Sequence, residues 1–208
     1  MVIDALVNFD ALAATPAAAQ PFPHMLATGL LSRAAVEHLN QQFPDLPVSG
    51  LLPADTLRLS PALSQLADEL RGPQMARILS EKFDIELGGL PTMLTVRSHA
   101  AARDGRIHTD SESKIVTLLL YLNEHWTADG GRLRLLNSGT DVDDYFAEVV
   151  PMAGTLVAFR RTENSWHGHH PFVGQRRYLM VNWMRDGKVA RVEQARHKVA
   201  AVLKGVFS

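Results

Sequence analysis

The chain has 208 residues, 46% of them hydrophobic, and a formal charge of -1, enough to bury one good core and too little to divide into two equal domains. No long basic run marks an obligate nucleic-acid binder, and no apolar run approaches the ~20 residues of a membrane span. Cysteine is absent, which excludes a disulfide framework, a thiolate metal site and a cysteine nucleophile, and leaves oxygen and nitrogen as the ligand atoms.

The amino terminus has no basic n-region and carries Asp4 and Asp10. It does not read as a signal peptide, and a cytoplasmic protein is the default expectation. Residues 11–23, rich in Ala and Pro, are expected as a loosely structured lead-in, with a short edge strand at 22–26. Ser32 suits an N-cap for a helix through Ala34, Val36, Leu39 and Phe43, stopped by Pro44 and Pro47. Ser60-Pro61 opens a second helix with proline in the first turn, and Gly72-Pro73 a third that runs to about Phe83. From Leu90 the pattern changes to short strands broken by Gly, Asp and Asn, expected at 92–98, 106–110, 114–122, 132–136, 147–150, 155–159 and 177–184. Residues 189–206 return to helix. The expected fold is therefore mainly β with flanking helices. One domain over 1–208 would comprise a mostly helical part (1–89), a double-stranded β-helix core of jelly-roll, cupin-like type (90–186) and a C-terminal helix (187–208).

His108 and Asp110 stand two residues apart, and His167 follows in Ser165-Trp-His-Gly-His-His-Pro171. In a strand, residues i and i+2 point to the same side with Cα atoms roughly 6.5 to 7 Å apart, so the pair can converge on one ion. On a helix they would face about 200° apart, so strand geometry is required. Two imidazoles and one carboxylate leave the opposite face of a metal open, which is the arrangement non-haem Fe(II) uses to hold a co-substrate and oxygen together. Alone, the pair reads as easily as a surface turn, since charged residues mostly face solvent. His169 shares parity with His167 and is its rival for the metal, while His170 reads as a rim or solvent residue. Trp126, Gly130 and Gly131 are expected to shape a turn, and Trp166 and Trp183 to pack in the core.

Five segments in order carry a resemblance. They are His108-Thr-Asp110, then Thr117-Leu-Leu-Leu-Tyr-Leu-Asn123 with Trp126 and Gly130-Gly-Arg-Leu-Arg134, then Gly154-Thr-Leu-Val-Ala-Phe159, then His167 with Pro171, and Arg177-Tyr-Leu-Met-Val-Asn-Trp183. Residues 92–184 thus resemble the 2-oxoglutarate/Fe(II)-dependent dioxygenase superfamily, in its prolyl 4-hydroxylase-like branch. The resemblance implies that His108, Asp110 and His167 hold Fe(II), and that 2-oxoglutarate and O2 take the remaining positions. With Asp110 present, the place that related halogenases vacate for chloride is filled, so hydroxylation is implied.

A cation after the distal histidine would bind the far carboxylate of 2-oxoglutarate, a task suited to the planar fork of arginine. Arg176 and Arg177 compete for it on opposite strand faces. The match to the family strand selects Arg177, with Arg176 as the alternative. Tyr121 would bond the same carboxylate, and Thr117, four residues earlier on the same face, would wall the pocket or donate a hydrogen bond. The pocket tyrosine often found before the His-x-Asp pair is missing, and Arg97, Ser98 or His99 stand in its place. The expected reaction hydroxylates a C–H bond of a small molecule or amino-acid-type substrate, releasing succinate and CO2. A peptide prolyl hydroxylase is the rival enzyme, and a non-catalytic metal-binding sensor the reading from another class. Neither nucleic acid nor membrane is an expected partner.

Overall fold

The computed structural model describes residues 5–44, 46, 49–188, 191–192 and 195. The expected stop at Pro47 lies outside the described residues, as does the C-terminal helix over 189–206 for all but three positions.

The helices begin where capping chemistry dictates. Ser32 accepts from the backbone N–H of Ala35 at 3.1 Å and starts α2 (Arg33–Gln41). Ser60 accepts from Leu63 and starts α3 (Pro61–Arg71), and α4 (Pro73–Phe83) follows with its own proline in the first turn. One expectation is corrected: the lead-in is partly helical. Asn8 caps α1 (Phe9–Ala14) by accepting from Ala11 at 3.0 Å, and Phe9 and Leu12 are buried. A cap and two well-placed apolar residues outweigh the Ala/Pro composition.

The strands form two sheets. β1 (Ala17–Ala18), β2 (His24–Ala27), β3 (Leu52–Pro53), β4 (Thr92–Ala100), β5 (Lys114–Tyr121), β8 (Leu156–Arg160) and β10 (Gly174–Met184) make a seven-stranded sheet in the order β1-β2-β8-β5-β10-β4-β3. β6 (Leu133–Leu136), β7 (Tyr145–Val149) and β9 (His167–Gly168) make a smaller one in the order β7-β6-β9. All strand pairs are antiparallel, consistent with a jelly-roll core. β2 is interior, between β1 and β8, and so is not the edge strand expected.

Residues 106–110 do not form the expected strand. Only a single antiparallel bridge, His108 to His167, joins them to the sheet. Gly105, at φ +88°, turns the chain just before it, and the Lys114 N–H closes a turn on Ser111 O just after.

Alternation along the large sheet divides the interior. Leu118, Leu120, Leu179, Val181 and Trp183 face α1, α3 and α4 in one aliphatic core, whereas Leu119, Tyr121, Val157, Phe159, Tyr178 and Met180 face the small sheet. Each fully buried leucine of the helix side contributes about 1.5–3 kcal/mol of burial free energy. The site lies on the opposite face of the same strands.

Candidate active site

The backbone pairs the two outer members of the expected metal set. The His108 N–H donates to His167 O at 3.1 Å and the His167 N–H to His108 O at 3.0 Å, and their ring centroids lie 4.3 Å apart. Each imidazole places Nδ1 against the carbonyl two residues before it, Arg106 O at 2.8 Å and Ser165 O at 3.0 Å. A carbonyl can only accept, so Nδ1 carries the proton and Nε2 keeps its lone pair for a metal. Asp110 completes the group: one ligand atom from each residue lies within 4.8 Å of the others.

Electrostatics hold His167 and Asp110 in ligand form. Burial pushes the His167 imidazole down to about 4, so it is neutral at physiological pH. Burial works against the Asp110 carboxylate, but the charge of Lys114 and hydrogen bonds from Lys114 and Thr117 outweigh it and hold Asp110 at about 2. Lys114 Nζ lies 2.6 Å from one Asp110 oxygen. The other accepts from the Thr117 hydroxyl, which in turn accepts from Asn182 Nδ2 at 2.7 Å. Because Asn182 donates to it, Thr117 spends its single proton on Asp110. The hydroxyl expected to serve the co-substrate therefore orients the carboxylate.

A cavity of about 240 Å³ runs from this triad between the sheets, with Leu119 and Met180 on its walls. Further in, the antiparallel register sets Tyr178 opposite both Tyr121 and Arg97. Arg176 enters here, 2% exposed. Its Nε donates to Gly131 O at 2.8 Å and its Nη2 to the Tyr121 hydroxyl at 3.2 Å, and its guanidinium lies 5.3 Å and 5.1 Å from the Tyr121 and Tyr178 ring centres. Burial pushes the Tyr121 hydroxyl up to about 12, so it stays protonated.

Arg177, selected from the sequence, is corrected. It shares parity with Leu179, Val181 and Trp183, and its Nη1 donates to Asn40 Oδ1 at 3.0 Å while its guanidinium stacks on Phe43. It ties the strand to α2 and does not line the cavity. A register shift between Gln175 and Tyr178 marks the place where counting along the strand loses its certainty.

Two further side chains complete the cavity, those of His169 and Arg97. His169 is buried and its backbone N–H donates to Gly105 O at 2.9 Å; a Cβ at Gly105 would overlap the His169 ring, so glycine is required there for space as well as for φ. Its Nδ1 faces His170 O at 2.8 Å, and it does not join the triad. Burial, then the Arg176 charge, push its imidazole down to about 4. His170 pairs with Asp143 at the surface. Arg97, one of three residues offered for the missing tyrosine, is the one that lines the cavity. It pairs with Asp104 at 2.5 Å, and although burial opposes it, Tyr178 and Asp104 hold its pKa above the ordinary value. Strand alternation could place Arg97 on a face but not among these partners.

Arg132 and Arg134 pair with Glu148 on the small sheet, as solvated strand faces do. Among the described residues, no helix is long and apolar enough to cross a membrane.

Two imidazoles and a carboxylate suit a divalent first-row metal, and the absence of sulfur ligands disfavours a soft one. The donor set fits Fe(II). A buried arginine bonded to a protonated tyrosine fits the far carboxylate of a 2-oxo diacid.

Residues 95–185 match the family model described as the 2OG-Fe(II) oxygenase superfamily. No curated protein sequence matches the chain. Among solved structures, the chain is similar to a prolyl-4-hydroxylase of Pseudomonas putida at 24% identity and TM-score 0.56, covering 86% of this chain and 97% of that one. It is also similar to a Trichoplax adhaerens prolyl hydroxylase, solved with a hypoxia inducible factor oxygen degradation domain peptide fragment, at 16% identity and TM-score 0.51 over 83% of this chain and 86% of that one. A viral collagen prolyl hydroxylase from Paramecium Bursaria Chlorella virus-1 matches at 13% identity and TM-score 0.51, over 77% of this chain and 93% of that one. At these identities the likeness is one of fold.

Proposed function

We propose, from the match of residues 95–185 to the 2OG-Fe(II) oxygenase superfamily, that His108, Asp110 and His167 hold Fe(II), that Arg176 and Tyr121 anchor 2-oxoglutarate, and that the enzyme hydroxylates an unactivated C–H bond of a small molecule or amino-acid-type substrate. One observation carries the site assignment: the triad and Arg176 line a single cavity, with Tyr121 bonded to Arg176 from behind. When bound, Fe(II) with 2-oxoglutarate and O2 supplies the oxidant that places hydroxyl on carbon, with succinate and CO2 as the accompanying products.

The chain's own residues bind and orient. Nδ1–H bonds to Arg106 O and Ser165 O aim the two imidazoles, and the Asn182–Thr117 relay aims Asp110. Arg176 keeps Nη1 for a carboxylate while Nε and Nη2 fix its plane on Gly131 and Tyr121. Leu119, Leu133 and Met180 line the passage between the two anchors and keep water from it. Preorganisation of this kind is the protein's share of cofactor chemistry.

The small-molecule reading is supported by a cavity of only about 240 Å³ with Arg97, Lys114 and Arg176 in its lining. Its test is succinate release from 2-oxoglutarate, Fe(II) and O2 in the presence of metabolite pools or of peptide libraries. Stimulation by a low-molecular-weight pool is the expected outcome. Stimulation by proline-containing peptides alone would replace this reading with a peptide hydroxylase.

A further inference from the structure

Arg97 remains unexplained by an iron and 2-oxoglutarate site. It is 8% exposed, on the wall of the cavity, and reaches it from β4. β10 separates β4 from β5, so Arg97 enters from the side of the sheet away from Tyr121. Its neighbours there are Leu51 and the turn at Asp104-Gly105 that leads to His108, which is exposed. Asp104 takes one corner of the guanidinium, Nη1, and is itself held by the Ala101 N–H at 2.8 Å. On the other edge, Nε is covered and has no hydrogen-bond partner. An arginine rarely leaves a covered N–H unpaired, because the desolvation is not recovered.

Charge points the same way. Arg97, Lys114 and Arg176 line the cavity against Asp104 and Asp110. Fe(II) and the 2-oxoglutarate dianion cancel one another, so with neutral imidazoles the loaded cavity keeps one positive charge. A substrate bringing one negative charge would neutralise it.

We propose that Arg97 receives a carboxylate of the substrate on the edge of its fork turned away from Asp104, which makes the substrate a small carboxylic acid of the amino-acid kind. The inference rests on the iron and 2-oxoglutarate reading above and narrows its substrate class. Arg176 and Arg97 then divide the work: the one at Tyr121 holds the co-substrate, and the one beneath the His108 turn holds the substrate. Such an arrangement orients a small acid from one end and presents its carbon chain to the metal. A peptide bond, being neutral, would leave that second edge of Arg97 without a charged partner.

The test is anaerobic calorimetry on the full chain with Fe(II) and 2-oxoglutarate, titrated with the twenty free L-amino acids and with the carboxamide of each. At least one acid should bind, with its carboxamide weaker by about tenfold or more, the worth of a charged hydrogen bond. Arg97→Met combined with Asp104→Asn removes the ion pair without stranding a charge. That variant should lose the preference for acid over amide, and Arg97→Lys should keep part of it, while both still give the Fe(II)–2-oxoglutarate absorption band. The proposal is overturned if no acid binds better than its amide, or if the double variant keeps the preference. It is equally overturned if the double variant weakens 2-oxoglutarate and leaves the acids untouched, since Arg97 would then serve the co-substrate. Absence of the band in the unmodified protein sinks the oxygenase reading instead, and leaves the acid and amide comparison standing because heat is measured without it.

Discussion

The two faces of the large sheet are built from alternate residues of the same strands, yet they have little in common. On β10, Leu179, Val181 and Trp183 join an aliphatic core against the helices, whereas Arg176, Tyr178 and Met180 line the cavity and Asn182 backs Thr117. On β5, Leu118 and Leu120 face one way and Thr117 and Tyr121 the other. The helix face carries burial energy, and the cavity face holds charge and hydrogen bonds at a desolvation cost. A one-residue step therefore separates stability from chemistry.

Substitutions that shift only one face test that division. The largest effect is expected from Leu118→Ala, fully buried on the helix side. It should cost about 2–5 kcal/mol in urea unfolding while leaving 2-oxoglutarate affinity, measured on the folded fraction, within about twofold. A large change in affinity would mean that the two faces are coupled.

Next in size is the arginine pair. Arg176→Met should raise the 2-oxoglutarate Kd about ten- to hundredfold, as removal of charged hydrogen bonds does, with little change in Fe(II) binding. Arg177→Met, on the other face, should leave that Kd within about twofold and lower stability through the lost Asn40 bond. The reverse result would restore the sequence-based choice of Arg177.

A pH effect is confined to the cavity face. His169 is neutral when folded, its pKa down at about 4, against an ordinary 6.5. Between those values the unfolded chain binds the proton and the folded one does not. Stability from this group is thus complete above about 6.5 and is lost as pH falls toward 4. In metal-free protein, His169→Gln should flatten the pH dependence of unfolding free energy across that window by up to about 1.4 kcal/mol per pH unit. An unchanged slope would show that His169 is not a buried neutral group.

Legibility in the sequence followed the same division. The helices at Ser32, Ser60-Pro61 and Gly72-Pro73 announce themselves because caps are local, and β5 and β8 because their apolar runs are long. β3 and β9, two residues each, have no local signature and exist through their partners. So does the bridge that replaces the expected strand at 106–110. His108, Asp110 and His167 were readable as a group because their types and order are unusual, and they converge. Arg176 and Arg177 were not separable by type. Parity with Trp183, which is buried among aliphatics, would have sent Arg177 to the helix side, but the family match pulled the other way. Arg97 was legible only as one of three stand-ins for the missing tyrosine, and Lys114 and Asn182 were beyond reach, since their roles arise from contacts across strands that no spacing encodes.

The central claim is that the cavity face holds Fe(II) with 2-oxoglutarate through one His-Asp-His group. Anaerobic titration of the protein with Fe(II) and then 2-oxoglutarate, followed by visible absorption, tests it most directly. A metal-to-ligand charge-transfer band should grow in the unmodified protein and in Arg177→Met, and should be absent when His108→Ala and Asp110→Ala are combined. A band of full intensity in that double variant would contradict the assignment.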